Sequence, residues 1–179
     1  MKQDINVFDY AETILKAVPH GVLLTTMVNE DINTMTIGWG TLGVEWNKPV
    51  FVAYVREGRY TRELLEKNPE FTINVPLDHD EAKKILIFCG RHSGREVNKV
   101  KEAGLTKKTP RTISVPGIKE APLTLECKIL YAQKQDHTLT DHETVTKFYP
   151  QDVPSEAVGA NRDDHIAFYA EIVDAYILK

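Results

Sequence analysis

Three short stretches of the chain carry residues suited to gripping a flat ring with a phosphorylated tail. Asn33-Thr34-Met35-Thr36-Ile37-Gly38-Trp39 reads as a strand that ends in an aromatic plate. Arg59-Tyr60-Thr61-Arg62 and Arg91-His92-Ser93-Gly94-Arg95 each set a hydroxyl beside arginines where a helix is expected to begin. Helix starts expose unpaired N–H groups and a partial positive charge, and both favour phosphate. Arginine adds charge-assisted bonds of defined geometry. A bound phosphorylated cofactor is the leading reading of the three together.

Each stretch also has a plainer reading. Ser93-Gly94-Arg95-Glu96 has the form of a capping box, which predicts a helix from Gly94 with Lys99 about one turn further on. Taken alone it is equally an ordinary cap between solvated arginines. Thr61 repeats the arrangement ahead of a second expected helix, Thr61 to Asn68. Trp39 alone reads as core or interface, but Gly38 and Gly40 flank it. Glycine within a strand often marks close approach by a ligand or another backbone.

The composition narrows the classes. The chain has 179 residues, enough for one domain spanning 1–179. Its 42% apolar and 27% charged residues are ordinary for a globular protein. A net charge of −4 argues against a general nucleic-acid binder. No run approaches the ~18 apolar residues of a membrane span. The N-terminal residues lack a signal-peptide core, so a cytoplasmic location is expected. Cys89 and Cys127 have no metal-type spacing, and the six histidines form no HExxH pattern, so no metal site is expected. Two buried thiols are the simplest reading. A redox role for Cys89, beside an expected Gly90-Arg91 turn, is the alternative. There is no G-x-S-x-G elbow.

Strands are expected to position these groups. Gly21–Met27 and Thr34–Thr41 read as a hairpin, followed by the wholly apolar run Val50–Val55. Phe71–Val75 reads as another strand. Leu123–Ile129 alternates without a fault, which predicts one face in the core and the other in water. In His165–Ile177 both faces are largely apolar, and a second subunit is the simplest cover. Helices are expected at Asp80–Phe88 and Val97–Ala103, and Lys107–Pro122 as an ordered connection. The fold expected is mainly β, an antiparallel barrel with peripheral helices. A doubly wound parallel sheet fits poorly, because no Gly-rich strand-to-helix turn is present.

These motifs together resemble the flavin reductase-like, FMN-binding split-barrel family, and most nearly its flavoredoxin-like branch. Asn33-x-Met35-Thr36-x-x-Trp39 is similar to its first flavin segment. Arg59-Tyr60-Thr61 is similar to its first phosphate segment, and Phe71-Thr72-Ile73-Asn74-Val75 to its F-x-x-N-V strand. Cys89 to Lys99 resembles C-G-x-x-S-G-x-x-x-x-K, and Asp164 to Ile172 resembles the D-H-x-x-x-x-G-E-V final strand, with Ala170 where the family has Gly.

The resemblance implies an antiparallel Greek-key split barrel, a homodimer, with FMN near the subunit interface. It implies flavin contacts from Asn33, Met35, Thr36, Ile37, Trp39 and Asn74. Phosphate contacts would come from Arg59, Tyr60, Thr61, Ser93, Gly94 and Lys99. His165 falls on the nicotinamide side and is the one catalytic candidate. The implied activity is an oxidoreductase that takes electrons from NAD(P)H through FMN to a second small-molecule acceptor. The alternative is an electron carrier reduced by a redox protein partner. The acidic, histidine-bearing segment from Gln135 to Pro150 has no counterpart among these motifs and is a candidate for shaping the substrate side.

Overall fold

A computed structural model describes residues 2–152 and 163–179. In chain order its elements are β1 (Lys2–Asp4), α1 (Ala11–Ala17), β2 (Val22–Val28), β3 (Asp31–Ile37), β4 (Gly40–Glu45), β5 (Lys48–Arg56), α2 (Tyr60–Lys67) and β6 (Glu70–Val75). There follow α3 (His79–Arg91), α4 (Lys99–Glu102), β7 (Lys107–Lys108), β8 (Gly117–Ile118), β9 (Leu123–Lys134), α5 (His142–Phe148) and β10 (His165–Leu178).

The main sheet is antiparallel, in the order β3-β2-β6-β9-β10-β5-β4, with β1 added along β10. Its two ends, β3 and β4, are neighbours in sequence but not partners in the sheet. Gly38 and Trp39 bridge them, so the aromatic plate stands at the split of the barrel. Alternate residues of the strands fill the interior: Val22 and Leu24, Phe51, Ala53 and Val55, Phe71 and Ile73, Phe168, Ala170 and Ile172. This is the period-two burial that the apolar pattern predicts. α1 adds Ile14 and Ala17 to the same core. α3 buries Ala82, Leu86 and Cys89, spaced at helical intervals, over Leu23 on the outside of β2.

Local chemistry explains where elements depart from expectation. The predicted strand over Thr34–Thr41 breaks at Gly38-Trp39, where β3 ends and β4 begins. Gly40 faces the Phe51 ring; a Cβ there would lie 2.6 Å from it, so core packing requires the glycine. α2 starts at Tyr60, which places Thr61 inside the first turn. α3 runs on through Cys89-Gly90-Arg91, so no turn stands there. No helix begins at Gly94. Ser93 Oγ accepts from the Arg95 amide at 3.2 Å, and the Ser93 carbonyl takes both Glu96 N and Val97 N at 3.1 Å. The chain closes a turn instead, and the cap falls to Asn98, whose Oδ1 accepts from Lys101 N at 3.0 Å to start α4.

Of the polar face expected along Leu123–Ile129, only Lys128 reaches water. Thr124 and Glu126 are fully buried beneath the Lys107–Pro122 connection. Glu126 Oε1 accepts from Arg111 N and Tyr176 Oη, both at 2.8 Å; Oε2 accepts from Thr112 N at 2.7 Å and Ile113 N at 3.2 Å. One carboxylate thus satisfies three loop amides and pins the connection to the barrel. Removing it strands the buried Ile113 amide and Tyr176 hydroxyl, each at about 1–3 kcal/mol, and leaves the part-buried Arg111 and Thr112 amides without their partner. Glu126→Ala is therefore expected to lower unfolding stability by about 3 kcal/mol or more in urea titrations. A loss below about 1 kcal/mol would contradict this role.

Candidate functional site

Two cavities meet beside the split. The first, of about 290 Å³, is lined by Asn33, Met35, Gly58–Thr61, His92–Glu96 and Lys99. The second, of about 240 Å³, is lined by Met35–Trp39, Tyr54, Arg56, Arg59 and His165. Met35 and Arg59 line both, so the two form one elongated site.

The first cavity collects hydrogen-bond donors. No side chain caps the first turn of α2. The Arg59 guanidinium makes no hydrogen bond or ion pair among the described residues, and burial and the nearby Arg56 lower its pKa. Lys99 is 4% exposed and spends one donor on the Cys89 carbonyl at 2.9 Å. Burial, with Arg59 nearby, lowers its pKa to about 8. Thr61 Oγ1 accepts from Asn33 Nδ2 at 2.8 Å, which leaves its proton free to donate. Ser93 likewise accepts from an amide and keeps its proton.

Asn33 supplies the counterpart. Its Oδ1 is buried and has no hydrogen-bond partner among the described residues, and exchanging the two ends of the amide would still leave one unpaired. A Cβ at Gly94 would come within 2.2 Å of that oxygen, so the site tolerates only glycine there. The rim is held by Tyr60 Oη to Asp31, and by Arg95, which reaches Glu63 and the Gly58 carbonyl and lies over the Tyr60 ring.

The second cavity is the ring-shaped end. Thr36 is anchored by its hydroxyl to the Leu86 carbonyl at 2.7 Å. The His165 ring lies 4.7 Å from that of Trp39, and its Nδ1 is 3.0 Å from Tyr149 Oη. His165 is 5% exposed, and burial, then Arg56, lowers its pKa to about 4. It is neutral at physiological pH and lines the cavity without adding charge.

Of the residues expected from sequence, the two cavities bring together Asn33, Met35, Thr36, Ile37, Trp39, Arg59, Tyr60, Thr61, Ser93, Gly94, Lys99 and His165. Asn74 lies elsewhere. It is fully buried on β6, donating to Thr25 Oγ1 at 3.2 Å and Thr72 Oγ1 at 2.9 Å, and accepting from Ile118 N at 2.9 Å. It ties β2 to β8. Arg91 is exposed at the end of α3 and lines neither cavity. Cys89 is fully buried, and burial pushes its thiol up to about 11, which is unsuited to redox exchange. Sequence reasoning missed Gly58, Tyr54 and Arg56. Tyr54, a polar-tipped ring in an otherwise apolar run, was the available signal.

The family model described as a flavin reductase-like domain matches residues 15–179. The chain belongs to the flavin reductase-like family. Among curated relatives, an uncharacterised protein of Archaeoglobus fulgidus is 31% identical over 111 residues, covering 62% of this chain and 61% of that one. The chain thus spans less than two thirds of that relative's length. Among solved structures, flavoredoxin of Desulfovibrio vulgaris superposes with TM-score 0.65 at 19% identity, covering 89% of this chain and 69% of that one. An FMN-binding domain of a flavin reductase-like enzyme from Shewanella baltica gives TM-score 0.65 at 16% identity, with 99% and 77% covered. The fold of this flavin reductase-like chain is therefore the antiparallel barrel read from its strands, of the split type that the family resemblance implies.

The buried neutral His165 makes a pH prediction. Its pKa is below the unfolded value near 6.5. Its contribution is complete above pH 6.5 and is lost as pH falls from there to about 4. The loss is on the order of 3 kcal/mol. Denaturant titrations between these limits are expected to show this slope in the wild type and a shallower one in His165→Gln.

Proposed function

We propose that this chain binds FMN and acts as a flavin reductase-type oxidoreductase, drawing electrons from NAD(P)H for a second small-molecule acceptor. One observation carries the reading. The cavity at α2 holds two poorly compensated cations, Arg59 and Lys99, and opens through Met35 and Arg59 onto a ring-shaped cleft. A phosphate monoester on a hydroxylated chain, ending in a flat ring, matches that sequence of groups.

Bound FMN would supply the hydride chemistry. Arg59 and Lys99 would neutralise its phosphate, and the Thr61 and Ser93 hydroxyls would donate hydrogen bonds to it. The unpaired amide end of Asn33 bonds the sugar-alcohol chain. β3 and Trp39 would hold the ring, and neutral His165 would line the end of the cleft where nicotinamide or acceptor would arrive. A large chamber adjoins that end, across Gly38, Trp39 and Tyr54. It favours a turnover enzyme over a carrier reduced by a protein partner, since a carrier needs only an accessible ring edge. The two buried free thiols suit a reducing compartment, the cytoplasm. Among the described residues, no helix is long and apolar enough to cross a membrane.

We also propose a homodimer. Val50, Val52 and Ala167, with Tyr54 and Tyr169, form an apolar cluster on the outside of β5 and β10. Tyr54 belongs both to this face and to the ring cleft, so a second copy seated there would complete the cleft's rim. Sedimentation at micromolar concentration is expected to show a dimer, and Tyr169→Glu a monomer. A wild-type monomer would contradict the assembly.

FMN titration by calorimetry tests the central reading. Lys99→Met and Thr61→Ala are each expected to weaken binding by about tenfold or more in a chain that still folds cooperatively, and Thr61→Ala also to lose about 1–3 kcal/mol of stability because it strands the buried Asn33 amide. Affinity in the wild type is expected to fall as pH rises through about 8, where Lys99 of the ligand-free protein loses its proton. Lys99→Met should lack that dependence. Bound FMN that NADH and NADPH both fail to bleach under anaerobic conditions would remove the reductase assignment and keep the cofactor.

A further inference from the structure

Behind Trp39 lies a chamber of about 510 Å³ that the cofactor site does not use. Leu15, Val18 and Pro19 form one wall, and Phe148 and Tyr149 another. Phe148 stands edge-on to Trp39, with ring centres 5.5 Å apart, and the His137 ring lies nearly parallel to Tyr149. The walls that face an occupant are therefore largely apolar and aromatic, which selects a flat ring.

The chamber's polar end is more specific. His137 lines it, and its Nδ1 lies 2.6 Å from Asp164 Oδ1. The carboxylate accepts, so Nδ1 carries the proton. In the neutral imidazole this leaves Nε2 as a lone-pair acceptor. Nε2 has no partner among the described residues. Asp164 is itself held in place by Lys134 at 3.6 Å. A fixed acceptor at the rim of an apolar aromatic slot calls for a ligand that donates: a ring bearing a hydroxyl. A carboxylate ligand would meet the Asp164 charge, and an aliphatic ring would gain no stacking.

We infer that this chamber is a binding site for a phenol, one or two fused rings in size, with its hydroxyl on His137 Nε2 and its ring packed against the aromatic wall that Trp39, Phe148 and Tyr149 form together. Because Trp39 lines both spaces, a ring held here lies one side chain away from the flavin cleft. Its use as a redox partner rests on the flavin reading; its binding does not.

The test is calorimetric titration of the full chain, without and with FMN, using 2-naphthol and 2-methoxynaphthalene. The two probes share a ring system, but the ether cannot donate. Saturable binding of 2-naphthol, about tenfold or more tighter than the ether, is expected. His137→Phe should erase the preference, and Phe148→Ala should weaken both probes. Absence of saturable 2-naphthol binding, equal affinity for the two probes, or a preference that survives His137→Phe would overturn the site. A chain that binds 2-naphthol but never FMN would overturn the flavin reading and leave the chamber standing.

Discussion

An ammonium group buried beside a guanidinium is a poor arrangement unless negative charge joins them. Lys99 is 4% exposed, has one carbonyl for company and shares its cavity with Arg59. Water cannot screen the pair well, and no carboxylate is paired with either among the described residues. Desolvation has already drawn the lysine's pKa down to about 8. The protein carries this unfavourable charge at the point where two hydroxyls, a bare helix start and an unpaired amide converge. An anion with a hydroxylated tail resolves all of these at once.

The barrel makes the convergence possible. Its sheet runs from β3 round to β4 without closing between them, and the gap falls at Gly38-Trp39. β3 therefore brings Asn33, Met35 and Thr36 along an unclosed edge. The β5–α2 junction brings Arg59 to Thr61 against one end of that edge, and the turn after α3 brings Ser93 and Gly94 against it as well. The Asn33–Thr61 hydrogen bond joins the sheet to α2 across 28 positions of sequence. On the far side of Trp39, the Gln135–Tyr149 segment walls a separate chamber. The same indole thus serves two spaces.

Much of this could be read from residue types. β2, β5, β6 and β10 are apolar at period two or throughout, and hydrophobic burial leaves such runs little choice. The arginine–hydroxyl pairs pointed to the cavity that Arg59, Thr61 and Ser93 line, because few other uses need that grouping twice. What sequence hid was long-range or competitive. Glu126 looks like an exposed residue of an alternating strand, and its partners are backbone amides, which no side-chain pattern advertises. Asn74 sits in a flavin-like motif yet is consumed by β2 and β8. Ser93 and Asn98 both had cap chemistry, and only the closed turn between them decided which would start a helix. The chamber depends on Phe148 and Tyr149 meeting Trp39 more than a hundred residues away.

The most direct test of the charge argument counts protons. Calorimetric titration of FMN at pH 8, repeated in buffers of different ionisation enthalpy, gives the number taken up on binding. The account expects uptake of about half a proton by the wild type, since the phosphate raises the pKa of a half-charged Lys99, and none attributable to that site in Lys99→Met. Tight binding with equal proton uptake in both chains would mean that Lys99 is not the group the anion neutralises.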